Sequence, residues 1–188
     1  ADLYGPSQPG LLGSKERPTG KDGYILPMNK SGIKFMSMGA MNPSGKAFVV
    51  RAPIAIGAIT QFLTSVLWGD LDFLLVDLPP GTGDIQLTLV QQARFSGAVI
   101  VTTPQRVAAE VAKKAPDMFT SVNVPILGIV ENMSGFTCTH CGEQSAPFKQ
   151  GGGEAMATEL NVPFLGALPL DPEIMMSGDE GSNLMESK

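Results

Sequence analysis

The sequence predicts an α/β fold, a mostly parallel sheet with helices on both faces, and three observations predict it. Short runs that are apolar throughout recur at 72–77, 97–103 (GAVIVTT), 125–132 (PILGIVEN) and 163–168 (PFLGAL). Strands buried on both faces read this way, whereas half-exposed strands alternate. Between these runs lie segments with helical apolar spacing, and strand–helix alternation is the signature of a parallel sheet. The first run ends in Asp77 and passes directly into a Pro/Gly loop, LPPGTGD, at the strand end where ligands of such sheets gather. With 188 residues, 43% of them hydrophobic and 16% charged, the chain is long enough for one domain over 1–188 with a sizeable core.

Taken in order, residues 1–13 read as a Gly/Pro-rich loop with Asp2 where a preceding strand would end, and 14–23 as a polar connection. Residues 24–28 and 33–38 are β-like runs around NKSG at 29–32, a small hairpin near the N-terminus, with Pro27 confining the first run to an edge. Residues 53–68 have helical spacing with Pro53 in the first turn. After the 72–77 strand, Asp84 caps a helix running to about Arg94, and a further helix is expected over 105–122. Residues 136–150 form a loop carrying both cysteines, 153–160 a short helix, and PLDPE at 169–173 starts a final turn. No repeat or low-complexity segment is present.

Composition narrows the function. A formal net charge of -5 without a basic run argues against nucleic acid and anionic membrane surfaces. No apolar run is long enough to span a bilayer. Two cysteines in a single CxxC leave no disulfide framework, so a reduced, cytoplasmic setting is expected. At a strand tip, Asp77 is suited to hold Mg²⁺ through water, and Gly81 offers a backbone N–H to a terminal phosphate. The same string also fits a plain strand–turn–helix connection.

CTHCG at 138–142 is the second chemical feature. Two thiolates separated by two residues can grip one metal, but zinc and iron–sulfur sites usually take four protein ligands. A two-fold dimer sharing Cys138 and Cys141 from each chain is the simplest completion. A dithiol redox pair and an inert loop are the alternatives, although Gly142 and Pro147 disfavour the helix start that a thioredoxin-type motif needs. The methionines at 28–41 read as adaptable packing, His140 as a solvated loop residue, and GGG at 151–153 as a helix entry or an anion site.

ADLYGPS, SMG, LLVDLPPGTGDIQLTLVQ, VTTPQ, GIVENMS, CTHCG and LGALPLDPEI stand in one order over the whole chain. Together they resemble the Mrp/ApbC family of P-loop ATPases that carry iron–sulfur clusters, relatives of MinD and ParA. The resemblance implies that Asp77 holds Mg²⁺ through water, that Gly81 is the switch glycine, and that Asp2 lies beside Mg²⁺ and the attacking water. It implies that Asn132 reads the adenine edge and that Pro169, Leu170 and Asp171 pass along the base. It further implies ATP and Mg²⁺ as cofactors and a labile [4Fe–4S] cluster held at a homodimer interface by Cys138 and Cys141, with zinc as a substitute. Apo iron–sulfur proteins are the implied recipients.

The departures matter as much. No G-x-x-x-x-G-K-[ST] exists in the 188 residues. That loop supplies the phosphates with backbone N–H groups and a lysine, and Mg²⁺ with a hydroxyl. The chain is therefore expected to be a fragment missing the strand that carries it and a C-terminal helix. It is expected to bind ATP poorly and not to hydrolyse it usefully. The resemblance implies that the missing strand lies beside residues 72–77, where a gap would leave backbone groups unpaired. A natural pseudo-ATPase, a MinD/ParA-like positioning ATPase and a zinc-stapled structural module are the rival readings. The second would want a basic patch or membrane helix and has no use for a CxxC.

Overall fold

The structure is a computed structural model that describes residues 7–41, 52–78 and 84–183. Its contacts fall into two compact units, residues 1–80, 84–92 and 173–188, and residues 81–83 and 93–172.

The first unit opens on a short helix, α1 (Gln8–Leu11), inside the stretch expected to be loop. Pro9 suits it, because a proline in the first turn gives up an N–H that has no intrahelical partner. Two antiparallel hairpins follow where one was expected: β1 (Thr19–Lys21) with β2 (Tyr24–Leu26), and β3 (Met28–Lys30) with β4 (Ile33–Phe35). The Asp22/Gly23 and Ser31/Gly32 pairs turn them with positive φ at both residues (51° and 81°; 49° and 79°). This is the turn whose twist matches paired strands. Pro27, with no N–H to donate, falls between β2 and β3 and separates the hairpins.

α2 (Met38–Met41) and α3 (Ala52–Thr64) follow, and α4 (Asp84–Gln92) packs on α3. Asp84 lies within the first turn of α4, not ahead of it, and the helix stops two residues before Arg94. The N–H of Ile25 donates to Ser65 O and the N–H of Leu67 to Ile25 O, so β2 is pinned beside the end of α3. Met28, Phe35, Met36, Ile59, Phe62, Val66 and Leu89 form this unit's core. The buried Met28 and Met36 fit the expectation that the methionines here are packing.

Residues 72–77 depart from expectation: among the described residues no ladder pairs with 73–76. The strand alternation survives without it. Leu74 and Val76 line a small apolar cleft with Ile59, Phe62 and Leu89, while Phe73 and Leu75 are 85% and 82% exposed. A strand is made by a neighbour, and among the described residues none pairs along 73–76.

The second unit holds a three-stranded parallel sheet in the order β5 (Ala98–Thr102), β6 (Ile126–Glu131), β9 (Phe164–Ala167). The helix expected over 105–122 is two, α5 (Arg106–Ala112) and α6 (Lys114–Ser121), divided at Lys113. Pro116 is the cause: it lacks an N–H for the carbonyl of Ala112 and its ring crowds that oxygen. Between β6 and β9 come the ladder β7 (Phe136–Thr137) with β8 (Gln144–Ser145), and then α7 (Gly152–Leu160). Helix α8 (Pro172–Glu180) continues the chain into the first unit. Ala98, Ile100 and Ile129 of the sheet are buried together with Met118, Phe119, Val124, Met156 and Ala157, whereas Val99 and Val101 are 46% and 60% exposed.

Candidate functional site

At its carboxyl end β6 delivers three residues of different chemistry in a row. Glu131 is 1% exposed, Asn132 half-buried and Met133 exposed, with Met133 turned through φ 57°. The N–H of Asn132 donates to Thr102 O at 2.7 Å, fixing it beside the end of β5. Its carboxamide Oδ1 accepts from the N–H of Met133 at 2.9 Å, which orients the side chain. The predicted base-side loop lies against the same turn. The N–H of Ser134 donates to Leu168 O, that of Leu168 to Glu131 O and that of Leu170 to Gly135 O, each at 2.8 Å. Asn132, Pro169, Leu170 and Asp171, chosen from sequence, are thus brought together at one sheet end.

Glu131 is the residue that sequence reasoning missed. Its Oε1 accepts from the Ser134 hydroxyl at 2.5 Å and the Gly151 N–H at 2.9 Å, and its Oε2 from the Gly153 N–H at 2.5 Å. Burial alone would raise its pKa. Hydrogen bonds from the Gly153 N–H, the Ser134 hydroxyl and the Gly151 and Gly152 N–H groups outweigh that and hold the carboxyl below its ordinary value. The anion site read at 151–153 is therefore filled from within, by a carboxylate at the N-terminus of α7. Gly151 enters at φ 82°, and a Cβ on Gly153 would stand 2.9 Å from Glu131 Cβ, so only glycine lets the N–H approach so closely. The signal was present: an acid closing an apolar run, and a glycine triplet twenty residues on.

The cysteines sit on the tip of the β7–β8 ladder, an element inside the expected loop. The N–H of Cys138 donates to Glu143 O and that of Gly142 to Cys138 O, both at 2.9 Å, with Gly142 at φ 74°. Both thiols are free, Cys138 half-buried and Cys141 exposed, and His140 is exposed. The backbone N–H of Cys141, then that of His140 and the Cys141 thiol, lower the Cys138 pKa against a small desolvation cost. A knuckle that favours thiolate is a fit donor pair for iron or zinc. Among the described residues no group of three or more His, Cys, Asp or Glu completes it.

Asp77 belongs to the first unit and is exposed, with Gln8 Nε2 donating to its Oδ2 at 3.4 Å. Asp2 and Gly81 lie outside the described residues.

The ParA profile, described as NUBPL iron-transfer P-loop NTPase, matches residues 1–188. The chain belongs to that family. An iron–sulfur cluster carrier protein of Escherichia coli (strain K12) is 45% identical over 190 residues, covering 100% of this chain and 52% of the relative. One of Methanocaldococcus jannaschii is 47% identical over 185 residues, covering 96% and 64%. The chain thus spans about half to two thirds of the length of the curated relatives it matches. A nucleotide-binding protein of Archaeoglobus fulgidus, solved in complex with ADP and with Co, superposes at TM-score 0.81 with 39% identity, over 96% of this chain and 71% of that one. The Aquifex aeolicus MinC:MinD complex, at TM-score 0.50 and 18% identity over 74% of this chain and 52% of that one, shares the fold. No helix among the described residues is long and apolar enough to cross a membrane.

Proposed function

We propose that the parent protein is an ATP-dependent iron–sulfur cluster carrier, a cytoplasmic homodimer that holds a labile [4Fe–4S] cluster between copies and delivers it to apo-proteins. The Cys138/Cys141 knuckle carries this reading: it presents two sulfurs from one tight turn, with N–H groups directed at Cys138. Two sulfurs are half of an iron–sulfur ligand set, and a two-fold axis supplies the other half. The cluster is cargo, and an exposed tip on a short ladder suits a site that must release it.

In this reading Asp77 holds Mg²⁺ through water, Asp2 lies beside Mg²⁺ and the attacking water, and the Gly81 N–H faces the γ-phosphate. Asn132 and residues 169–171 border the base. Hydrolysis is an in-line attack by water in which positioning and charge neutralisation do most of the catalysis. Both depend on the lysine loop that the 188 residues lack, so this stretch alone is expected to be inactive.

Anaerobic reconstitution of the full-length protein tests the proposal. Wild type should take up one cluster per two chains and sediment as a dimer, and Cys138→Ser/Cys141→Ser should take up none. Full uptake by the double variant would sink the reading. Zinc retained by monomers that gain no thermal stability from Mg-ATP would favour the zinc-stapled module, because a ligand of the native state must stabilise it.

A further inference from the structure

The segment 134–151, which carries the cysteine knuckle, begins and ends on the same buried carboxylate. At its start, Ser134 Oγ donates to Glu131 Oε1; at its end, the Gly151 N–H donates to the same oxygen. Two residues further, the Gly153 N–H holds Oε2 and fixes the first turn of α7. A loop tied at both ends to one point has fewer conformations than one tied at either end alone. Glu131 is also the residue before Asn132, and its carbonyl accepts the N–H of Leu168 at the base-side loop. A second strap runs alongside: the Leu170 N–H donates to Gly135 O, and Phe136 of β7 bridges Leu170 in parallel. These bonds join the 168–171 loop and Asn132 to the cysteine ladder through residues 131–136 and, by way of the Glu131 carboxylate, to the 151–153 helix entry.

We propose that Glu131 is a positioning residue that couples the cysteine loop to the strand end bordering the nucleotide base, so that occupancy at Asn132 and residues 168–171 sets the conformation of residues 134–151. This rests on the reading of Asn132 and 169–171 as base-side residues. A shift of residues 168–171 toward a base pulls on Leu168 and Leu170, and through them on Glu131 O, Ser134 and Gly135. The carboxylate transmits that pull to the far end of the loop at Gly151. Without it only the near end would respond.

Amide hydrogen exchange on the full-length protein, without metal, tests this. In Glu131→Gln, which sets an NH₂ against N–H donors, exchange over 134–151 should rise about tenfold or more while 98–102 and 164–167 keep their protection, since charge-assisted bonds are the strong ones. Glu131→Asp, with the charge withdrawn by one methylene, should restore part of it. Mg-ATP should slow exchange over 134–151 several-fold in wild type but not in Glu131→Gln, with equilibrium dialysis confirming that the variant still binds nucleotide. Unchanged exchange over 134–151 in Glu131→Gln, or an equal rise throughout the sheet, overturns the positioning role. So does a variant that binds Mg-ATP and still shows the wild-type slowing. If wild-type protein fails to bind Mg-ATP, the base-side reading itself fails, and the coupling with it, whereas the nucleotide-free comparison still reports on the clamp.

Discussion

Glu131 makes the stability of the second unit depend on pH, and the sign follows from its environment. Its carboxyl titrates lower in the folded chain than in the unfolded one, because three N–H groups and a hydroxyl favour the charged form more than burial disfavours it. The unfolded chain therefore takes up the proton first as pH falls. The stabilisation is fully present above the unfolded carboxyl value of about 4.5 and is lost as pH drops through the lower folded value. Glu131→Gln should cost about 2–3 kcal/mol at neutral pH, by the usual worth of hydrogen bonds to a charged group. The gap to wild type should close below pH 4.5, as read from urea midpoints at several pH values. A gap independent of pH would mean that the loss comes from packing alone. Gly153→Ala tests the same contact by sterics: with Glu131 Cβ only 2.9 Å from the new methyl, the helix entry must retreat from the carboxylate, and the variant should unfold earlier although alanine is the better helix former.

Among the elements, what was legible in the sequence and what was not divide along local and non-local physics. The runs at 97–103, 125–132 and 163–168 became β5, β6 and β9 because each carries its own apolar signature and finds its neighbours within the chain. The run at 72–77 carries the same signature and shows no ladder over 73–76 among the described residues, because pairing depends on a partner that the segment cannot encode. Asp22/Gly23 was a readable hairpin turn passed over in a polar stretch, and Pro116 a readable break in a long helical pattern. Glu131 carried a readable signal, an acid closing an apolar run ahead of a glycine triplet, but its partners arrive from three and from about twenty residues away, so the clamp itself is non-local. The sheet of the second unit offers a test of which face carries its stability. Ile129 has no exposed surface, so Ile129→Ala should cost about 2–5 kcal/mol. Val101 is 60% exposed, and Val101→Thr in the 188-residue chain should stay within about 0.5 kcal/mol. Comparable losses for both, in denaturant titrations with unchanged m-values, would mean that the outer face is covered in solution.

For the whole molecule, the chemistry proposed here is divided between what these residues supply and what they lack. On the proposed reading Asp77 and Asp2 would bring negative charge to a polyphosphate, and no G-x-x-x-x-G-K-[ST] loop that would oppose it stands in the 188 residues. Two carboxylates near a triphosphate without that cation repel it, and Mg²⁺ has to offset more of their charge. The 188-residue chain should therefore bind Mg-ATP far more weakly than the full-length protein and turn over none above background, while its knuckle, built wholly from residues 136–145, should still bind metal. Titration with Co²⁺, whose thiolate charge-transfer bands report sulfur ligation directly, separates the two capacities in one preparation. Thiolate bands with two chains per Co²⁺, beside absent nucleotide binding, is the expected pair of results. Tight Mg-ATP binding by the 188 residues would show that phosphate is held by groups other than a lysine loop, and the pseudo-ATPase reading would then replace the one argued here.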